Sequence, residues 1–557
     1  MNDSRELTFT SVVLGVILAV VFGAANAYLG LRVGLTVSAS IPAAVVSMGV
    51  MRFMLRRDSV LENNMVQTIG SAGESLAAGA VFTMPALYLW ADEGVCAPPG
   101  VLSLTVIALA GGTLGALLMI PLRKPLIEDE RETLVYPEGR ACAEVIKAGA
   151  KGARHASTVF FGLGLAVALK LATDLFKWLP SAVSLPVKKL RGEIGAEFSA
   201  ALAGVGFIVG PKVSTLLFSG SFFGWMALIP LFCAYSDGAA AAYADGGAAA
   251  VWKNYIRYIG AGAIAAGGFH SLVKSVPLFV KTFREALKGA GGARGGADIS
   301  IGKVAVGVVS VIAMLAALPV VPVGVGGALL VALFGFFFAA VSARMVGFVG
   351  SSNNPISGMT IATLVVSALV LKTCGKAGAA GMTAAMAVGS LVCIVAAMAG
   401  DTAQDLKTGY LLGATPWKQQ IGEFVGAGAA GLAITGVLLL LHRAWGFGGT
   451  EIPAPQATLM KVVVEGIMSG TLPWGLLGVG AGVAAVLIAF RIPVMPFAIG
   501  LYLPIKMIAA IFAGGMARLL LDRAAPGRTE GGVLLSAGMI AGEGVCGIIL
   551  ALVAVLS

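Results

Sequence analysis

The sequence predicts an all-α, polytopic transmembrane helix bundle of about 16 spans, with internal duplication and broken or re-entrant helices. Three observations lead there. Of 557 residues, 58% are hydrophobic and only 12% are charged. Soluble domains carry about 25% charged residues, so this chain lacks the charge to coat a soluble surface. Its mean hydropathy is +0.93, and the apolar residues gather in long windows without Asp, Glu, Lys or Arg. Glycine is abundant, at 77 residues, which suits helices whose backbones approach closely in lipid. A soluble enzyme, a disordered chain and a coiled coil are excluded.

Uncharged windows mark the crossings. Thr8–Leu31, Val33–Met51, Ser75–Ala91 and Gly94–Leu122 come first, then Val213–Ser236 and Tyr258–Val273. Val304–Ala343 is split at Pro319 and Pro322, which predicts a helical hairpin. Met345–Leu371, Ala377–Gly400, Phe424–His442 and Gly466–Phe490 follow. Weaker segments are His155–Leu169, Phe198–Pro211, Ile492–Ile505, Met507–Ala517 and Gly531–Ser557. The whole chain reads as one integral membrane domain with approximate halves 1–290 and 300–557, joined by a Gly-rich cytoplasmic loop.

Charge sets the expected orientation. The net charge of +10 is read as basic loops held on the cytoplasmic side, not as nucleic-acid binding. Arg52–Arg57, Arg123–Arg154 and Lys281–Lys303 are the basic clusters. The acidic Asp92-Glu93 and Asp237–Asp245 stretches should lie outside, which puts the N-terminus inside, in a cell membrane of the bacterial inner-membrane type. Lys188, Lys189 and Arg191 fall on the wrong side of this scheme. The six cysteines are scattered without a C-x-x-C pair, and there is no H-E-x-x-H or nucleotide-binding phosphate loop. No catalytic residue, metal site or cofactor is expected. Oligomeric state is left open, a homo-oligomer included.

Polar residues inside apolar surroundings are the functional candidates. Glu74, in a Gly/Ala/Ser-rich segment with Gln67 and Ser71, must face a cavity or a partner. It reads as a proton or substrate site, or as an interfacial glutamate bonded to backbone amides. Gly350–Thr360 carries Ser351, Ser352, Asn353, Asn354, Pro355 and Ser357, which favour an unwound turn able to bind a peptide-like ligand. A solvent loop with a helix cap is the alternative. Asp401, Gln404 and Asp405 read as a cytoplasmic gate or as a solvated charged turn beside Lys407. Finally, Ser40–Arg52 followed by Ser71–Gly79 is echoed by Leu503–Arg518 followed by Ser536–Gly544. The echo makes Glu543 the expected counterpart of Glu74, unless it is chance similarity between Gly/Ala-rich helices.

Together these segments resemble the oligopeptide transporter (OPT) superfamily, which includes the yellow-stripe-like metal-chelate carriers. The matching stretches are Asn26–Pro42, Glu62–Ser75, Tyr136–Gly139, Gly210–Lys212, Arg257–Ala263, Gly350–Thr360 and Gly400–Gly409. Each alone is weak; seven in family order are strong. The resemblance implies a secondary carrier built by duplication, importing small peptides or peptide-like solutes with protons by alternating access. A metal-chelate cargo is the alternative within transport. On this reading Asn26, Gln67, Ser71, Glu74, Ser351–Asn354 and Ser357 would line the substrate site, with Glu74 and Glu543 in proton coupling.

Overall fold

The computed structural model describes residues 6–53, 59–132, 134–149, 154–187, 190–270, 298–468 and 473–556, with Arg56, Val273 and Pro277 between them. Lys188, Lys189 and most of the expected 281–303 basic loop lie outside the described residues.

The chain begins with α1 (Phe9–Val33), fixed at its start by a capping box between Thr8 and Ser11 and ended by Gly34 at φ +75°. Residues 34–39 are non-helical and fold back along α1, where the Val37 N–H donates to Asn26 Oδ1 at 3.2 Å. Helix α2 (Ser40–Phe53) and α3 (Val60–Val81) follow, the latter capped by Ser59. Helices α1 and α3 touch through glycine: a Cβ on Gly73 would lie 2.4 Å from the Ala19 carbonyl oxygen. Only the missing side chain permits that approach. Next come α4 (Pro85–Asp92), α5 (Val101–Arg123), α6 (Pro137–Gly149) and α7 (Arg154–Lys170). A two-stranded antiparallel hairpin, β1 (Ala182–Val187) with β2 (Gly192–Glu197), interrupts the helices. This departs from the all-α expectation, and it occupies the stretch whose basic residues defied the loop rule.

Helix α8 (Ala200–Phe223) breaks at Gly210 (φ +83°), before Pro211. Then follow α9 (Ile229–Tyr235), α10 (Asp237–Val251) and α11 (257–270). Helices α12 (Ile301–Ala317) and α13 (Gly324–Val349) form the expected hairpin. After a break come α14 (Ile356–Thr373), α15 (Gly378–Leu412), α16 (Pro416–Trp445), α17 (Pro455–Met468), α18 (Trp474–Ala489), α19 (Val494–Tyr502), α20 (Ile505–Ala524) and α21 (Thr529–Leu556). Among the described residues, nine helices are long and apolar enough to cross a membrane. The 35-residue α15 runs through the centre, with nearly its whole length buried.

The two parts of the chain repeat one motif in opposite directions. In the first, α1 ends at Gly34, and the Leu31 carbonyl accepts from the Ala454 N–H at 2.8 Å, just before Pro455 opens α17. In the second, α13 ends at Gly350 (φ +84°), and the Gly347 carbonyl accepts from the Tyr136 N–H at 2.9 Å, just before Pro137 opens α6. Ala454 and Tyr136 share a left-handed backbone, φ +46° and +51°. The residue after each proline reaches into the break opposite. Gln456 Nε2 donates to the Gly34 carbonyl at 3.2 Å, and Glu138 accepts from Ser351 N and Ser352 N, both at 3.1 Å. Each break is thus secured by a helix of the other part. Met382 and Lys407 mark the two ends of α15, about 37 Å apart at 1.5 Å per residue. The α1 terminus lies at the Met382 end and the α13 terminus at the Lys407 end, so the motifs are inverted. This duplication pairs α1–α2–α3 with α13–α14–α15. The echo that pairs α2–α3 with α20–α21 is not packed alike, because α3 lies on α1 whereas α21 lies on α7.

Candidate functional site

Polar residues three and four apart share one helix face, and three helices bring such faces together. Gln67, Ser71 and Glu74 lie on α3, Asp401, Gln404, Asp405 and Thr408 on α15, and Gln419 and Glu423 on α16; all are buried. Ser71 Oγ donates to Asp401 Oδ2 at 2.7 Å and lies 2.8 Å from Ser40 Oγ. Gln67 Nε2 donates to Asp405 Oδ1 at 2.5 Å. Gln419 Nε2 donates to both Thr68 Oγ1 and the Asp405 carbonyl at 3.0 Å. A buried carboxylate costs several kcal/mol unless such donors meet it.

The 350–355 break docks on this node. Ser351 Oγ lies 3.5 Å from Asp401 Oδ1, so Asp401 stands between the break and α3. Asn354 Nδ2 donates to Ser342 Oγ at 2.7 Å, and Ser342 in turn donates to the Ala396 carbonyl. Ser352 is exposed and Ser357 half-buried, on the first turn of α14. The Asn353 side chain lies outside the described residues. Gln404 accepts from the Gly139 N–H at 2.7 Å, while the Thr408 hydroxyl donates to the Gly139 carbonyl at 3.0 Å, tying α6 to α15.

Two sequence expectations change here. Asp401 and Asp405 are not a solvated turn at a helix end; both are 0% exposed in the interior of α15. Nor does Lys407 hold them as an ion pair, since its Nζ donates to the Ile127 carbonyl at 3.3 Å. Arg140, two residues after Glu138, pairs with Glu144 at 3.2 Å.

Glu74 sits beside the other break. Its carboxylate accepts from Asn26 Nδ2 and, at 3.4 Å, from the Ala39 N–H ahead of α2. The reading as a buried acid and the reading as a cap on backbone amides therefore merge in one residue. A cavity of about 20 Å³ adjoins it, lined by Asn26, Ala39, Pro42 and Ile540, with room for about one water. Glu543 repeats part of this arrangement: it accepts from Ser199 Oγ at 2.7 Å and Ala201 N at 2.8 Å, at the start of α8. It differs in facing a cation, Arg32 Nη1 at 3.7 Å; Arg32 also binds Glu197 on β2 at 2.6 Å.

Larger cavities open at both ends of α15. At the Met382 end, a cavity of about 750 Å³ is lined by Glu93, Arg257, Tyr258, Lys461, Glu465 and Tyr502 among others. Lys461 bridges Glu93 at 2.8 Å and Glu465 at 3.1 Å. At the Lys407 end, a basic cup of about 600 Å³ is lined by Arg131, Arg140, Lys147, Lys407 and Tyr410. The polar node lies between the two cavities. Sequence reasoning missed Glu423 and Gln419, because it began that span at Phe424, one residue after Glu423 and five after Gln419. Their spacing of four on a Gly/Ala-rich stretch was the available signal.

A helix bundle with inverted broken-helix motifs around buried polar side chains defines a polytopic membrane carrier. The comparisons give the particular family. The family model described as "OPT oligopeptide transporter protein" matches residues 6–554, and the chain belongs to that family. It is 34% identical to a Haemophilus influenzae protein named "Putative oligopeptide transporter", across 94% of this chain and 92% of that one. It is 23% identical to the rice "Iron-phytosiderophore transporter YSL15", across 83% of this chain and 77% of that one. To the rice "Probable metal-nicotianamine transporter YSL13" it is 22% identical, across 78% and 67%. The chain is therefore a multi-pass membrane transport protein and not an enzyme.

Proposed function

We propose that the protein is a proton-coupled secondary transporter that imports oligopeptides or peptide-like solutes by alternating access. The observation that carries this reading is the polar node on α3, α15 and the 350–355 break, within a chain 34% identical to the Haemophilus relative over 94% of its length. A peptide needs donors and acceptors for its amides and termini, and broken helices leave both in a bundle interior. Asn26, Gln67, Ser71, Ser351–Asn354 and Ser357 line the substrate path in this reading, and Asp401, Gln404 and Asp405 form the gate towards the basic cup. Glu74 carries the coupling proton. It meets donors from α1 and from the segment before α2, so movement of that break changes what its carboxylate contacts. Glu543, which the sequence echo alone pairs with Glu74, faces Arg32 and contributes less to coupling.

The same reading has about 16 spans: the nine long helices and the shorter apolar Ser40–Arg52, Ile301–Ala317 and Trp474–Ala489 give twelve, and helices that carry charge, such as α3 and α20, supply the others. The N-terminus and the basic cup face the cytoplasm of a bacterial inner membrane. The halves 1–290 and 300–557 act as the two units of the carrier, whether as a monomer or a homo-oligomer. A metal-chelate cargo is the second reading, favoured by the printed names of the relatives near 22–23% identity.

The test is uptake of radiolabelled trialanine into proteoliposomes, with and without an inward proton gradient, and with a ferric chelate in a parallel arm. Uphill uptake of trialanine that needs the gradient is expected. Saturable uptake of the chelate alone overturns the peptide reading. Glu74→Gln, which keeps shape and removes charge, is expected to abolish uphill accumulation; undiminished uphill uptake in that variant refutes its role.

A further inference from the structure

Where α3, α15 and α16 pack together, several buried oxygens meet without enough donors. Asp405 and Glu423 are both 0% exposed. Asp405 Oδ1 accepts from Gln67 Nε2 at 2.5 Å, but its Oδ2 has no hydrogen-bond partner. Neither carboxylate oxygen of Glu423 makes a hydrogen bond of ordinary geometry, and Asp405 and Thr402 are among its polar neighbours. The Gln67 carboxamide, which meets Asp405 through its Nε2, leaves its own buried Oε1 unpartnered. Ionised carboxylates and amide carbonyls only accept, and buried acceptors left unmet cost about 1–3 kcal/mol each, more when charged. Glu74 differs, since Asn26 and the Ala39 N–H supply donors to both its oxygens.

We propose that Asp405, Glu423 and Gln67 form a binding site for one small monovalent cation, either a proton shared between the two carboxyl groups or a sodium ion held among their oxygens. What completes a set of acceptors is a species that brings positive charge and no further acceptor. Calcium takes six to eight oxygen ligands and magnesium a near-ideal octahedron, more than these side chains offer. The charged and titratable groups facing the pair have partners of their own. Asp401, on the same helix, is engaged by Ser71, and Glu138 on α6 by the 351–352 amides. The Cys142 thiol of α6 donates to the Ser40 carbonyl. Lys407 is turned away to Ile127. Among the described residues, no lysine or arginine forms an ion pair with Asp405 or Glu423. The site is separate from Glu74 and would couple a second cation to transport. That role rests on the carrier reading; the binding itself does not.

The experiment follows thermal unfolding of the purified full-length protein in detergent, from acid to alkaline pH, in sodium chloride and in choline chloride. A cation that binds the folded state raises its melting temperature. If the cation is a proton, Tm falls as pH rises and the two salts behave alike. If it is sodium, sodium chloride restores the alkaline loss and choline chloride does not. In Glu423→Gln and Asp405→Asn the amide provides a donor and removes a charge, so the pH-dependent or sodium-dependent part of Tm is lost. Wild-type protein with neither dependence, or full wild-type dependence in both variants, overturns the proposal. If one variant does not fold, the other variant and the wild-type salt arms decide. Trialanine counterflow by the wild-type protein is run beside it. Its absence overturns the peptide reading, while the melting arms still decide the cation site.

Discussion

Gly400→Ala tests the contact between the central helix and the 350–355 break. A Cβ at Gly400 would lie 2.6 Å from Ser342 Oγ, 2.8 Å from Asn354 Nδ2 and 3.0 Å from Val346 Cγ2. Ser342 cannot yield freely, because its hydroxyl donates to the Ala396 carbonyl and accepts from Asn354 at 2.7 Å. The methyl group must therefore break the Asn354 bond or push the break off α15. Losing one or two buried hydrogen bonds costs about 1–2 kcal/mol, and overpacking adds about 1–3 kcal/mol. Replacing an interior helical glycine by alanine returns up to about 1 kcal/mol. The balance is a loss of about 1–4 kcal/mol, together with a displaced Ser351 beside Asp401. Gly428→Ala and Gly436→Ala, in the interior of α16 with no atom within 4 Å of the added carbon, should instead be neutral or stabilising. Thermal unfolding in detergent and trialanine uptake in proteoliposomes measure both effects. Wild-type melting and uptake in Gly400→Ala would refute the reasoning.

Other consequences can be measured in the same preparations. Arg32→Met leaves Glu197 and Glu543 without their buried cation and should destabilise the protein by about 3–5 kcal/mol; a melting temperature equal to wild type would contradict that ion cluster. Gly206→Ala places a carbon 1.8 Å from the Ile511 carbonyl oxygen, forcing α8 off α20, and should lower the yield of monodisperse protein seen by size-exclusion chromatography. Arg56→Cys, at an exposed position and with the free Cys96 and Cys374 replaced by serine, should resist impermeant thiol reagents added outside intact cells and react after permeabilisation. Labelling from outside would reverse the proposed orientation.

Much of the bundle was legible because lipid leaves the chain little choice. The hairpin at Pro319, the break after Gly350 and the long uncharged windows follow from proline, glycine and hydropathy alone. Hydropathy is blind where a helix keeps going through charge. The spans read as ending at Gly400 and beginning at Phe424 hide twelve further residues of α15 and the first turns of α16. Asp401, Asp405 and Glu423 lie in those hidden stretches. Their charge marks a face turned towards other polar faces, and only three-dimensional packing tells that from a turn in water. The β1–β2 hairpin was invisible for a different reason: six-residue strands with one glycine-rich partner carry little alternation. The sequence echo points to a duplication of α2–α3 in α20–α21, whereas the inverted motif of α1 and α13 is a match of backbone and not of residues. Ala454 and Tyr136 share a conformation and a position, not a side chain.

The reciprocal fastening of the two breaks has a consequence for biosynthesis. The Gly34 carbonyl waits for the Gln456 amide, which lies 422 residues later in the chain. At about 5–20 residues per second, that interval is about 20–80 s on the ribosome. Throughout it the first broken helix has already been inserted, while the residues that cover its exposed carbonyls have not been made. The nascent protein must be sheltered from lipid during this time, by water in the insertion channel or by a companion protein. Truncated chains ending before α17 should accordingly be degraded rather than accumulate as a stable half-carrier.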